Sequence, residues 1–254
     1  MASGSPTPSK IGGDPARIEW AQMNKGAFHC DLDLHIEHSG TLEDAGVPIG
    51  VVDGIVAIAW YEVEIRGFGN HSGTTPMPNR CNALIATSHP TLAVDEIVRR
   101  EPGRQVGTVG QLNVVPNVPN VVPGVVRLTI ELRDLDGAKI VLLAGHIRDR
   151  ARQIAAHTNT GIEMSSGARP EAALATPEVQ KAIETAAATL GLAPRHLPSG
   201  TGHDAAMMAR LGPIGMIFVP SVGGISHSPR ELTRWDDCAR GADVLLHTVL
   251  DRAA

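Results

Sequence analysis

The sequence predicts an α/β fold, and three observations carry that prediction. Some segments alternate apolar and polar residues with period two, others repeat apolar residues at helical spacing, and the two kinds are interleaved along one chain. Between about residues 55 and 170 the order is strand, helix, strand, strand, helix, strand, which is that of a split βαβ, or ferredoxin-like, unit. A chain of 254 residues with 43% apolar content has enough for two small domains or one large one with a real core.

The elements follow from local signals. The first 13 residues, rich in Ser, Gly and Pro, read as a flexible tail. Asp14-Pro15 has the form of an N-cap and a first-turn proline, opening a helix to about Met23. Phe28 to Glu37 reads as a strand with Phe28, Cys30, Leu32, Leu34 and Ile36 on one side and His35 and Glu37 near its end. Gly50 to Arg66 is rich in β-branched residues and reads as one long strand or two joined at Gly54, and Gly67 to Asn79 is a loop. Cys81 to Arg100 has helical periodicity, and Pro90 inside it predicts a kink or break. Strands at about Gln105 to Val115 and Val125 to Arg133 flank the Pro/Asn-rich segment Pro116 to Gly124. Ala138 to Thr158 is an amphipathic helix and Gly161 to Ser165 a short strand. Pro177 to Leu190 is a helix with Thr176 as its N-cap, Glu178 in its first turn and Gly191 as its stop. A short helix at Met207 to Leu211, a buried strand at Ile214 to Val219 and a closing helix at Asp236 to Arg252 complete the series.

Composition excludes several functions. Charged residues are 19%, the formal net charge is −5 and no Lys/Arg block is present, so no nucleic-acid partner is expected. The longest apolar runs, such as Gly212 to Val219, fall far short of the ~20 residues of a membrane helix. The start MASGSPTPSK has no apolar signal region, so a cytoplasmic protein without a membrane partner is expected. Cys30, Cys81 and Cys238 stand far apart without CxxC or CxxH pairing and read as reduced thiols. At 3% aromatic content, a stacking platform for bases or sugars is not expected.

Chemistry concentrates in four segments: His35-Ile-Glu37-His38, Asn70-His71-Ser-Gly-Thr-Thr-Pro76, Gly200-Thr-Gly-His203-Asp204 and Gly223-Gly-Ile-Ser-His227. Each lies at an element end or in a loop, where imidazoles from distant parts of a chain can converge on a metal. Taken singly, each reads first as a solvated, hydrogen-bonded side chain, and only the four together weigh against that. His35 and Glu37 share one strand face and could reach one site, while His38 falls on the other face unless the strand has ended. Asp31 and Asp33 share the His35 face and read as its solvated side. From spacing alone a surface ion pair is the first reading, and Asn120 and Arg133 are beside it candidates for binding a substrate carboxylate. Ser72 and Ser226 each neighbour a histidine, but neither lies in a Gly-x-Ser-x-Gly elbow. Gly200 to Gly202 is an anion cradle or a plain turn.

Together these segments, with Pro48-Ile-Gly50, Pro119-Asn120-Val-Val-Pro-Gly124, Leu132-Arg133-Asp134 and Phe218-Val-Pro-Ser, resemble the N-carbamoyl-L-amino acid hydrolase and allantoate amidohydrolase group. That group belongs to the aminoacylase-like M20 metallopeptidase superfamily, and the resemblance runs from about Asp14 to the carboxyl terminus. It implies a zinc-exopeptidase-like catalytic domain, here partial over 14–54 and 171–254, with an inserted lid and dimerisation domain over 55–170. It further implies two Zn²⁺ or Mn²⁺ ions, a small carboxylate substrate cleaved at a carbamoyl or ureido C–N bond, and a homodimer formed through the lid.

On matching positions, His35 and His227 are implied as metal ligands, one for each ion, and His203 as a catalytic group stabilising the oxyanion. His38, His71, Asn120 and Arg133 are implied to bind or lie near the substrate. The group's usual amino-terminal ligands, its bridging Asp and its general-base Glu have no counterpart here, so an amino-terminal half is expected to be missing. His38 stands where the motif usually has Gln, and Asn82 where it usually has Asp. Three readings follow: a hydrolase part that is inactive alone, one half of a split enzyme, or a non-catalytic binding or assembly remnant.

Overall fold

The computed structural model of the chain describes residues 14–165 and 171–253, so the expected tail over 1–13 lies outside the described residues. The first half comprises β1 (Asp31–Ile36), α1 (Thr41–Ala45), β2 (Gly50–Ile55), β3 (Ala57–Arg66), β4 (Asn70–His71), α2 (Ala83–Arg100), β5 (Val106–Val115), β6 (Val121–Val122) and β7 (Val125–Asp134). There follow α3 (Gly137–Thr158), β8 (Gly161–Met164), β9 (Ala173–Leu174), α4 (Pro177–Thr189), β10 (Arg195–Ser199), α5 (Ala205–Met208), β11 (Ile214–Val219) and α6 (Trp235–Ala253). Among the described residues no helix is long and apolar enough to cross a membrane.

The first sheet has the order β1-β11-β2-β10, with β9 pairing to β2. β1 runs parallel to β11 and β10 parallel to β2, while β11 and β2 meet antiparallel only at Ile217 with Val51 and Phe218 with Gly50. All six residues of β11 are buried, as a continuous apolar run in a strand covered on both faces requires. One face packs Leu32, Leu34 and Ile36 of β1 with Ile217 and Val219 against Val179 and Ile183 of α4 and Val244 of α6. The other carries Ile214, Met216 and Phe218 against Leu42 of α1 and Ala205 of α5. Two glycines set how closely the helices approach. A Cβ on Gly215 would lie 2.3 Å from Val179 Cγ1, and one on Gly241 would lie 2.6 Å from Val219 Cγ1.

The second sheet is antiparallel, in the order β5-β7-β3-β8, with α2 and α3 on one face. Val63, Ile65, Leu128, Ile130, Leu132, Ile140, Leu143 and Ile147 form its core. Period two then leaves Trp60, Glu62, Glu64 and Arg66 of β3, and Arg127, Thr129, Glu131 and Arg133 of β7, on the face without helices. β4 and β6 form a separate two-stranded ribbon. The run Gly50 to Arg66 divides at Val56 because β2 belongs to the first sheet and β3 to the second.

Three local readings are corrected. The segment after Asp14 is a 3-10 helix, Pro15–Ala21, kinked at Arg17. Asp14 caps it by accepting from Ala16 N at 3.0 Å, but all its residues are exposed, so no burial selects a regular α-helix. α2 runs unbroken through Pro90, which is itself buried, because Ala83, Ala86, Ala93, Val94 and Val98 pack on both sides of it. Thr176 stands at the N-cap of α4, yet its hydroxyl accepts from Ile214 N at 3.1 Å and ties the helix start to β11 instead.

His196 on β10 clips three elements together. Its Nδ1 lies 2.8 Å from Asp53 Oδ1 of β2 and its Nε2 lies 2.9 Å from Glu184 Oε1 of α4, where Lys181 also pairs with Glu184. With a carboxylate at each nitrogen the ring holds both protons, and the Asp53 hydrogen bond above all raises its pKa. A pKa raised in the folded state contributes stability that is complete below the unfolded value, about 6.5, and fades as pH rises through the folded one. The imidazole is 42% exposed, so the contribution stays below about 1 kcal/mol. His196→Gln is expected to lower the melting temperature more at about pH 5.5 than at about pH 9. Equal losses at both would show that the clip holds a neutral ring.

Candidate active-site cluster

The parallel ladder of β1 on β11 places His35 beside Phe218 at the ends of both strands. Because Leu32, Leu34 and Ile36 fill the core toward α4 and α6, the alternate residues Asp31, Asp33 and His35 point to the α5 side. There an open groove of about 430 Å³ is lined by Asp31, Asp33, His35, Gly202, His203 and Asp204. The strand stops at Ile36, and His38 takes a left-handed conformation with φ 62°. Its ring stacks on His35 with centroids 4.7 Å apart. His203, from the loop after β10, stands edge-on to His35 at 4.8 Å and packs on Phe218 at 5.8 Å. His227, also left-handed at φ 54°, meets His38 at 5.8 Å. Two of the four non-glycine residues with positive φ among the described residues therefore belong to one cluster.

Hydrogen bonds orient the rings. His35 Nδ1 lies 3.0 Å from the carbonyl of Ile36, which only accepts, so Nδ1 is the donor and the ring's Nε2 is turned away from that bond. His38 Nδ1 pairs with Ser226 Oγ at 2.5 Å, and His203 Nε2 pairs with Ser199 Oγ at 2.7 Å and Thr201 Oγ1 at 2.9 Å. Burial first, and then the neighbouring His35, lowers the pKa of both His38 and His203, so both are neutral at pH 7. Glu231 accepts from the His227 N–H at 2.8 Å, and this bond, with the Ser226 hydroxyl, holds its carboxyl below the usual range. Asp31 is shifted upward by burial and by Asp33 beside it.

Four of the seven site residues read from the sequence thus converge: His35, His38, His203 and His227. His71 lies instead on the β4–β6 ribbon and Asn120 directly before β6, where Ser72 N donates to the Asn120 carbonyl at 3.0 Å and His71 Nδ1 accepts from Gly73 N at 3.0 Å. Both are exposed, and among the described residues neither side chain is hydrogen-bonded to the cluster. Arg133 reaches toward it, its Nη1 donating to the Gly200 carbonyl at 2.6 Å.

The expectation that Glu37 joins His35 is corrected. The strand has ended before it, and its buried carboxylate turns to α1, accepting from Ser39 Oγ, from Thr41 N at 3.0 Å and from Leu42 N at 2.8 Å. Sequence reasoning also missed Glu131, Ser199 and Thr201, although Glu131 stands two residues before Arg133 and so shares its face.

Among the described residues no group of three or more His, Cys, Asp and Glu side chains is arranged to hold an ion. His35 and His38 lie stacked, with 30° between their planes, rather than fanned about a common point. These imidazoles do not by themselves make a metal site.

A sequence profile of peptidase family M20/M25/M40 matches residues 5–251. The chain belongs to that family. It is 40% identical over 240 residues to the N-carbamoyl-L-amino acid amidohydrolase of Geobacillus stearothermophilus, covering 94% of this chain and 58% of that protein. It is 35% identical over 214 residues to the allantoate amidohydrolase of Escherichia coli K12, covering 84% of this chain and 52% of that protein. The crystal structure of a hydantoinase/carbamoylase family amidase from Burkholderia ambifaria superposes with a TM-score of 0.83 at 32% identity, over 90% of this chain and 55% of that one. Within the M20 family the chain falls in the carbamoylase group, as its motif segments imply, and it spans a little over half the length of these relatives.

Glu37 offers a test of how the strand end is held. In Glu37→Gln an amide NH₂ replaces one acceptor facing the backbone N–H groups of Thr41 and Leu42, so a loss of about 1–3 kcal/mol is expected by chemical denaturation. Hydrogen exchange at those two amides should quicken; unchanged stability and exchange would show that α1 does not depend on this cap.

Proposed function

We propose that the chain works as part of a metal-dependent amidohydrolase that cleaves a carbamoyl or ureido C–N bond of a small carboxylate. The observation that carries this reading is the convergence of four imidazoles, from segments distant in sequence, on the end of β1 in a chain whose relatives are named as carbamoyl and allantoate amidohydrolases. Neutral His203, its Nε2 held by Ser199 and Thr201, is suited to hydrogen-bond a developing oxyanion. Arg133 is suited to a carboxylate, with Asn120 and His71 orienting the substrate and His38 bordering it. His35 and His227 are assigned to Zn²⁺ or Mn²⁺, together with ligands and a general base from outside the described residues.

The domain division belongs to the same reading. Residues 55–170 act as a lid that also forms a homodimer, supported by the separate core under the second sheet, and 14–54 with 171–254 act as part of the catalytic unit. A non-catalytic binding module is the second reading, favoured by the absence of a metal-holding group among the described residues.

The chain alone, given Zn²⁺ or Mn²⁺ and dialysed, is expected to retain no full pair of ions by elemental analysis and to release no ammonia from N-carbamoyl amino acids, allantoate or ureidoglycolate. Combined with the amino-terminal half of a carbamoylase, it is expected to hydrolyse at least one of them. Retention of two ions per protomer by the chain alone overturns the incomplete site. Silence of every combination toward every carbamoyl and ureido acid leaves the binding module as the better reading.

A further inference from the structure

One ionic arrangement on the open face of the second sheet reaches the cluster. Glu131 and Arg133 share that face of β7, and Arg133 Nε donates to Glu131 Oε1 at 2.7 Å. The other oxygen, Oε2, accepts from the indole Nε1 of Trp60 at 2.6 Å. Trp60 is the residue directly opposite Glu131 on β3, and Thr108 is opposite on β5. The cross-strand neighbours of Arg133 are Ile58 and Val106, which offer it no charge. Glu131 is therefore the one carboxylate bonded to the guanidinium among the described residues. At its far end Nη1 donates to the carbonyl of Gly200, in the loop leading to His203, and Nη2 has no hydrogen-bond partner among the described residues.

We propose that Glu131, itself held by Trp60, is a positioning residue that aims the Arg133 guanidinium at the Gly200–His203 loop and leaves Nη2 presented to a small carboxylate. This rests on the proposed function, in which Arg133 binds the substrate carboxylate. An arginine side chain has several freely turning bonds, and a ligand that must first order them binds more weakly. Fixing Nε from one side and Nη1 from the other removes that cost before the ligand arrives. The Glu131–Arg133 pair is half-buried, with 23% and 24% of the side chains exposed, so it is less screened than a fully exposed surface pair. Arg133 above all, and Trp60 as well, hold the Glu131 carboxyl below its usual range, so it stays an acceptor throughout neutral pH.

The test titrates the full chain, labelled with ¹⁵N, with hydantoate (N-carbamoylglycine) and with its uncharged amide, following the Arg133 Nε–H and the Trp60 indole N–H. Hydantoate should bind saturably and the amide should not. Glu131→Gln should raise the Kd for hydantoate roughly tenfold, Trp60→Phe ~threefold and Arg133→Lys by more than about tenfold. A merely structural Glu131 would move the melting temperature without moving the preference for the acid over the amide. Should Glu131→Gln fail to fold, Trp60→Phe decides alone, because that exposed position tolerates change. If Arg133→Lys loses hydantoate while Glu131→Gln and Trp60→Phe keep it, the positioning role is overturned and the carboxylate reading stands. If Arg133→Lys also keeps it, or the unaltered chain binds none, the carboxylate reading falls and takes the positioning role with it.

Discussion

The ladder between β1 and β11, in register from Asp31 with Ile214 to Ile36 with Val219, is the constraint on which the cluster depends. A slip of one residue would turn Leu32, Leu34 and Ile36 into the groove and bury Asp31, Asp33 and His35 against α4 and α6. The cost of that exchange pins the register, because α4 and α6 cover one side of β1 while its other side opens to the groove. The position of His35 is therefore decided by three aliphatic residues that point away from it. His203 follows from the same ladder, since its ring rests on Phe218, the residue paired with His35.

Around that anchor the imidazoles are aimed by uncharged polar partners, and burial keeps His38 and His203 neutral. Ser226 holds His38, Ser199 and Thr201 hold His203, and a main-chain carbonyl holds His35. The nearby carboxylates are engaged elsewhere or along the groove wall: Glu37 caps α1, Glu231 accepts from the His227 N–H, and Asp31 and Asp33 line the opening. Imidazoles without a strong acid against them keep nitrogen lone pairs available, which is what both a metal ligand and a hydrogen-bonding partner of substrate require.

Much of the fold was legible because its signals are local. The continuous apolar run Ile214–Val219 appears with the bounds read from sequence, and the strand read at Val125 to Arg133 is β7, one residue longer. Where tertiary packing outweighs local preference the reading erred, as at Pro90, whose helix is held from both sides, and at Asp14, whose helix has nothing to pack on. At the site, three of the four Gly- and His-rich segments supply the rings that converge, while the fourth, with His71, lies on the β4–β6 ribbon. Period two could not tell that β1 stops at Ile36, so it grouped Glu37 with His35. The contact between Arg133 and Gly200 spans two sheets and leaves no mark at any fixed spacing.

The left-handed backbone at His38 and His227 sets two demands on the same positions. For any residue with a Cβ that conformation costs roughly 1–2 kcal/mol, whereas glycine adopts it freely and surrenders about half of the gain through its looser unfolded chain. The main chain at both sites thus favours the very residue that has no ring. Replacing either histidine by glycine would therefore relax the backbone while removing a ring from the cluster.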